Sequence, residues 1–102
     1  MLKIYGSQYC PDCTACEKAL DDAHIPYEFI DISANMPNLK AFLRLRDTDP
    51  HFDKVRERGL VGIPCIIRED GTMTFHYEKV LAEYNAKAPE VHASCSLNGK
   101  GC

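Results

Sequence analysis

Residues 2–13 read Leu2-Lys3-Ile4-Tyr5-Gly6-Ser7-Gln8-Tyr9-Cys10-Pro11-Asp12-Cys13, and they pass from a strand pattern to a helix pattern across one short loop. Residues 2–5 suit a short strand. Pro11 suits the first turn of a helix, where its missing N–H costs nothing. The helix continues to about residue 23, with Cys16, Ala19, Leu20 and Ala23 on one stripe. His24-Ile25-Pro26 ends it, because the residue before a proline avoids helical geometry. Residues 27–32, from Tyr27 to Ile32, are rich in strand formers and predict a second strand. A strand–helix–strand opening of this kind predicts a parallel pair joined by a right-handed crossover.

Working outward from that unit, Asn35 is a cap for a second helix through about residue 47, in which Leu39, Phe42, Leu43 and Arg46 share a face. Asp49-Pro50 repeats the cap-then-proline signal and starts a short helix, with Phe52 and Val55 inward and Gly59 closing it. Residues 63–68 predict a strand, residues 69–72 a turn, and residues 73–76 a returning strand. A final helix is expected over residues 78–84, with Val80, Leu81 and Tyr84 inward. The order is β-α-β-α-(α)-β-β-α, an α/β class with a central mixed four-stranded sheet flanked by helices. The domain is expected over residues 1–84, and residues 85–102 form a polar, aperiodic tail.

Composition narrows the function. The chain has 102 residues, enough for one domain with its own core. It is 45% hydrophobic and 26% charged with a net charge of −3, and its basic residues form no run, which argues against nucleic acid as a partner. No apolar stretch approaches the roughly 18 residues that cross a bilayer. The first residues are too short and polar for a signal peptide, so a cytoplasmic protein without membrane partners is expected. Six cysteines then need a reason. In a reducing compartment, clustered thiols point to redox chemistry or to metal binding.

Cys10-Pro11-Asp12-Cys13 lies where the first strand hands over to the first helix. A thiol becomes nucleophilic as its thiolate, and the unsatisfied N–H groups of a helix N-terminus favour that anion. Cys10 occupies this position, and Cys13 lies one turn further in, within reach of a mixed disulfide on Cys10. The pattern fits attack by Cys10 on a substrate disulfide and release by Cys13. Asp12 opposes the anion by its charge and equally fits a first-turn acid favouring the helix dipole; both readings stand.

Cys10-Pro11-x-Cys13 after a first strand, with Ile63-Pro64 opening a later one, resembles the glutaredoxin branch of the thioredoxin superfamily over roughly residues 1–84. The resemblance implies a thioredoxin fold and a thiol–disulfide oxidoreductase with Cys10 and Cys13 as its catalytic pair. It also implies a cis Pro64 beside the cysteines, with the Ile63 backbone free to pair with substrate and Pro11 and Glu78 at the binding site. Partners would be a protein or low-molecular-weight disulfide and an unidentified reductant, with no cofactor required. Family members that use glutathione carry a Gly-Gly pair after the last strand. Here that region reads Thr74-Phe75-His76-Tyr77-Glu78, and the usual Lys before the motif is replaced by Ser7-Gln8-Tyr9. This departure argues against glutathione, whose remaining candidate contacts are Glu78, Arg56 and Arg58.

The other cysteines leave alternatives open. Cys16 completes Cys10-x-x-Cys13-x-x-Cys16, a spacing too wide for a Cys13–Cys16 disulfide but open to zinc or part of an iron–sulfur cluster. It equally suits a small buried residue on the core stripe. Cys65, next to Pro64, is a packing residue, a third redox thiol or a metal ligand. Cys95 and Cys102 flank the turn signal Asn98-Gly99, and His92 lies three residues before Cys95, so the tail offers a second dithiol or a ligand pair. A metal or iron–sulfur protein using Cys10, Cys13, Cys16 and one further cysteine is the alternative function. His24, His51 and His76 stand alone and are read as surface or packing residues.

Overall fold

Alternation along the first strand sets the layers. In the computed structural model, which describes residues 1–87, β1 (Leu2–Gly6) points Leu2 and Ile4 into one core and Tyr5 toward another. It is followed by α1 (Pro11–Asp22), β2 (Tyr27–Asp31), α2 (Met36–Thr48), a 3-10 turn (Pro50–Phe52) running into α3 (Asp53–Glu57), then β3 (Cys65–Ile67), β4 (Met73–Thr74) and α4 (Tyr77–Lys87). The sheet order is β2-β1-β3-β4. β2 runs parallel to β1, with Ile4 opposite Phe29. β3 is antiparallel to β1, with Tyr5 opposite Cys65, and β4 is antiparallel to β3. The expected mixed four-stranded sheet and its parallel opening pair are both present.

Two cores lie on the two faces of this sheet. Leu2, Ile4 and Ile66 meet Cys16 and Leu20 of α1 and Val80 of α4. On the other face Phe42 of α2, Phe52 and Cys65 pack together, joined by Tyr5, Ile63, Ile67 and Phe75. This second core is an aromatic chain. Tyr5 and Phe42 have ring centroids 5.8 Å apart, Phe42 meets Phe52 edge-on at 5.8 Å, and Phe52 meets Phe75 edge-on at 5.1 Å.

Several expected details move. The stripe of α1 is Cys13, Cys16 and Leu20, while Ala23 is exposed; the chain doubles back at His24 (φ 57) so that Ile25 enters the core instead. On α2, Leu43 is 37% exposed, whereas Leu45 packs beside Phe42. Three residues on from Phe42, Leu45 shares its face, while Leu43 lies a quarter turn away. The proline-started helix is a 3-10 turn followed by α3, and Gly59 (φ +69) closes it as expected. β4 stops at Thr74 because Phe75 turns into the aromatic core, and α4 runs on past residue 84 to Lys87. Ile63 and Pro64 precede β3 rather than open it. Among the described residues, no helix is long and apolar enough to cross a membrane. His92, Cys95, Asn98-Gly99 and Cys102 lie outside the described residues.

Candidate active site

Cys10 is the N-cap of α1, with extended backbone angles (φ −100, ψ 118) and Pro11 immediately inside the helix. Its carbonyl accepts the first helical hydrogen bonds, from the N–H of Cys13 and of Thr14, both at 3.1 Å. The Cys10 N–H in turn donates to Ser7 O at 3.1 Å, which closes the loop between β1 and α1. Ser7 is itself buried and anchored, its hydroxyl bonding Ser33 and accepting from the Tyr9 N–H. Cys10 is left half-buried, at a helix end whose first-turn N–H groups lack a side-chain cap.

Cys13 is buried beneath it, and its sulfur rests on the bare backbone of β1. A Cβ on Gly6 would come within 2.9 Å of Cys13 Sγ and equally close to Phe29. Burial pushes the Cys13 thiol up to about 12, and its hydrogen bond to Cys10 acts in the same direction. An N–H from Ser7 directed at the sulfur works the opposite way. The two cysteines of the motif thus have opposite environments, one reachable from solvent and one enclosed. Both are free thiols.

A cavity of about 1130 Å³ opens over Cys10. Cys10 and Asp12 line it from α1, Ile63 and Pro64 face it from the segment before β3, and His76 and Glu78 border it from the start of α4. The Ile63–Pro64 peptide is cis, as the resemblance implies. Leu60 and Val61 extend the same wall and are 53% and 52% exposed. Gly62 (φ +96) lets this wall press against Phe52 and Val55, where a Cβ would come within 2.9 Å of Phe52. Neither Gly6 nor Gly62 stood out in the sequence.

The two arginines considered for a carboxylate separate. Arg58 lines the cavity. Arg56 is engaged elsewhere, donating to the carbonyls of Arg46 and Asp49 and pairing with Asp53. Cys16 and Cys65 do not join the motif. Cys16 belongs to the core with Leu20 and Val80, and Cys65 to the core with Phe42 and Phe52. Burial pushes their thiols up to about 11 and about 12. Among the described residues, no group of three or more Cys, His, Asp or Glu is arranged to hold a metal ion. The described part of the zinc or iron–sulfur donor set is therefore divided between the active-site end and two separate cores, and it does not fit such a group. His51 and His76 are exposed on the cavity rim, and His51 pairs with Asp49 at 2.7 Å.

Comparison with known proteins bears on the family and the fold. The glutaredoxin family model matches residues 2–70. An uncharacterized protein of Haemophilus influenzae is 31% identical over 77 residues, spanning 76% of this chain and 90% of its own. The holo form of glutaredoxin C1 from Populus tremula x tremuloides superposes with a TM-score of 0.58 at 12% identity, over 83% of this chain and 74% of that one. A glutathione transferase homologue from Sulfitobacter, with bound glutathione, gives 0.51 at 22% identity over 88% of this chain. The match spans 38% of that larger protein. These two likenesses speak for the fold, and the family match supports a thiol-oxidoreductase-like role. With the family model spanning most of a chain whose sheet order and helices follow the same fold, the protein belongs to the glutaredoxin family.

Proposed function

We propose that the protein is a thiol–disulfide oxidoreductase in which Cys10 is the nucleophile and Cys13 the resolving thiol. The observation that carries this reading is the unequal placement of the pair, with Cys10 half-exposed at a helix N-terminus and Cys13 buried one turn in and hydrogen-bonded to it. The Cys10 thiolate attacks one sulfur of a substrate disulfide. The substrate S–S bond breaks, a Cys10–substrate disulfide forms, and the departing thiolate takes up a proton. Cys13 then loses its proton and attacks the Cys10 sulfur, which releases the second substrate thiol and leaves a Cys10–Cys13 disulfide. Two electrons have reached the substrate, and a dithiol reductant returns them. Pro64 and Ile63 form the wall against which the substrate lies, and Glu78 contributes a negative charge at its edge.

Glutathione is a poor substrate in this reading. The family's glycine pair is replaced by Phe75 and His76. The Phe75 ring is held on Phe52 at 5.1 Å, and the His76 N–H is engaged by Thr74 Oγ1 at 3.2 Å, so this backbone offers little to a tripeptide. Of the contacts considered from the sequence, Arg58 and Glu78 line the cavity, together with Lys54, Asp12 and Asp53. Efficient turnover of a glutathionylated peptide, saturating at low glutathione, would overturn this part.

The deciding experiment compares Cys10→Ser with Cys13→Ser. The first is expected to abolish reduction of a protein disulfide. The second is expected to accumulate a mixed disulfide through Cys10, seen by mass spectrometry. Equal residual turnover in both variants, with no trapped species, removes the assignment.

A further inference from the structure

The wall facing Cys10 is held from behind by a residue that the exchange chemistry does not use. Arg46, near the end of α2, extends its guanidinium to the segment before Pro64. Its Nε donates to Val61 O at 3.0 Å and to Leu60 O at 3.2 Å, and its Nη2 donates to Leu60 O as well. The Arg46 side chain is 22% exposed, while the carbonyls it reaches belong to the exposed Leu60–Val61 segment, and the bonds are charge-assisted. Arg46 is fixed in turn, because its own carbonyl accepts from Arg56. Leu60 and Val61 expose apolar side chains into the cavity that holds Cys10, and their carbonyls point the other way, into the arginine fork. Besides this fork, the segment is tied by the Leu60 N–H to Val55 O at 2.9 Å and by the contact of Gly62 with Phe52.

We propose that Arg46 is a positioning residue for disulfide exchange with macromolecular substrates. By holding the Leu60 and Val61 carbonyls it fixes the apolar wall opposite Cys10 before a substrate arrives. The inference rests on the exchange reading given above and adds to it a specificity element remote from the sulfurs. Without the fork, the two carbonyls return to water and the segment must be ordered when substrate docks, which weakens docking and leaves the sulfur chemistry unchanged. A large disulfide that covers the wall is sensitive to this, whereas a small one that reaches only Cys10 is not. Lysine keeps the charge but lacks the planar fork that spans two carbonyls, so it restores part of the effect.

The test measures steady-state reduction of insulin and of bis(2-hydroxyethyl) disulfide, with dithiothreitol as reductant, by the full chain and by Arg46→Ala and Arg46→Lys. For Arg46→Ala the KM for insulin is expected to rise about tenfold, the worth of one charge-assisted hydrogen bond, with kcat little changed. The small disulfide should stay within about twofold, and Arg46→Lys should fall between. An unchanged insulin KM in a folded Arg46→Ala protein overturns the proposal. So does an equal loss on both substrates, which marks a purely structural role. Should Arg46→Ala fail to fold, Arg46→Lys decides by the same split between substrates. Failure of the unsubstituted protein to reduce either disulfide would strike at the exchange reading itself.

Discussion

At the residue scale, the pair Gly6 and Cys13 shows how little room the site allows. The Cys13 sulfur lies where any side chain on Gly6 would be, with Phe29 pressing from the neighbouring strand. Gly6→Ala is therefore expected to destabilise the fold by about 1–3 kcal/mol through overpacking and to slow the Cys13 step, both readable by denaturant unfolding and by the lifetime of the mixed disulfide. The protonation of Cys13 gives a second expectation. Burial holds its thiol near 12, so at neutral pH only a small fraction is thiolate. Release of the mixed disulfide should accelerate about tenfold per pH unit across the neutral range, measured by rapid quench, and a flat profile would show that the buried thiol is not the limiting nucleophile. The placement of Cys10 and Cys13 at the start of α1 was legible in the sequence because a helix start is written in local chemistry. Gly6 was not, because its role depends on the sheet bringing β1 under α1. Arg56 and Arg58 look alike in sequence, and only the path of the chain tells which one reaches the cavity.

At the scale of elements, α2 matters because it carries Arg46 and Phe42, the ring that joins Tyr5 to Phe52 in the aromatic core. Its start is set by Asn35, whose side-chain oxygen accepts from the Asn38 N–H at 2.9 Å. Asn35→Ala is expected to cost about 1 kcal/mol, seen as a lower thermal midpoint, with exchange kinetics unaltered. Its inward face is set by packing. Leu45→Ala should destabilise clearly, while Leu43→Ala should stay within roughly 0.5 kcal/mol, the range of an exposed site. Comparable losses in the two variants would contradict the observed face. The existence and order of the strands and α-helices were readable from caps, prolines and periodicity, while the 3-10 turn ahead of α3 was not. The face of α2 was ambiguous because leucines stand on both sides of its stripe, at positions 43 and 45. The short length of β4 was hidden for a related reason, since Phe75 suits a strand by propensity but is claimed by Phe52 across the core.

At the scale of the whole fold, three thiols among the described residues, those of Cys13, Cys16 and Cys65, are enclosed, and this gives its stability a direction in pH. Cys13 and Cys65 are pushed up to about 12 and Cys16 to about 11, burial being the leading cause in each. Unfolding returns each to the ordinary thiol range near about 8.5. Between those limits the unfolded chain has released protons that the folded chain retains, so stability falls as pH rises. The contribution is complete below about pH 8.5 and is lost progressively toward about 11–12. On the acid side, Asp31, Asp49 and Asp70 are held below the usual carboxylate range by hydrogen bonds from Ser33, His51 and Thr72. Their contribution is present above about pH 4 and is lost as pH falls through their lowered values. These local turns sit near solvent, so the acid limb should be shallow and the alkaline limb steep. Thermal midpoints from pH 3 to 11, taken with reductant present, check that asymmetry. Cys16→Ala isolates the cause, since Cys16 lies in the core with Leu20 and Val80, away from the cavity over Cys10. The variant should be less stable at neutral pH, having lost packing, yet lose less stability than the unsubstituted protein between pH 9 and 11, because one retained proton is gone. An identical alkaline slope in both proteins would mean that the enclosed thiols do not set the limit, and the loss would then have to come from elsewhere in the chain.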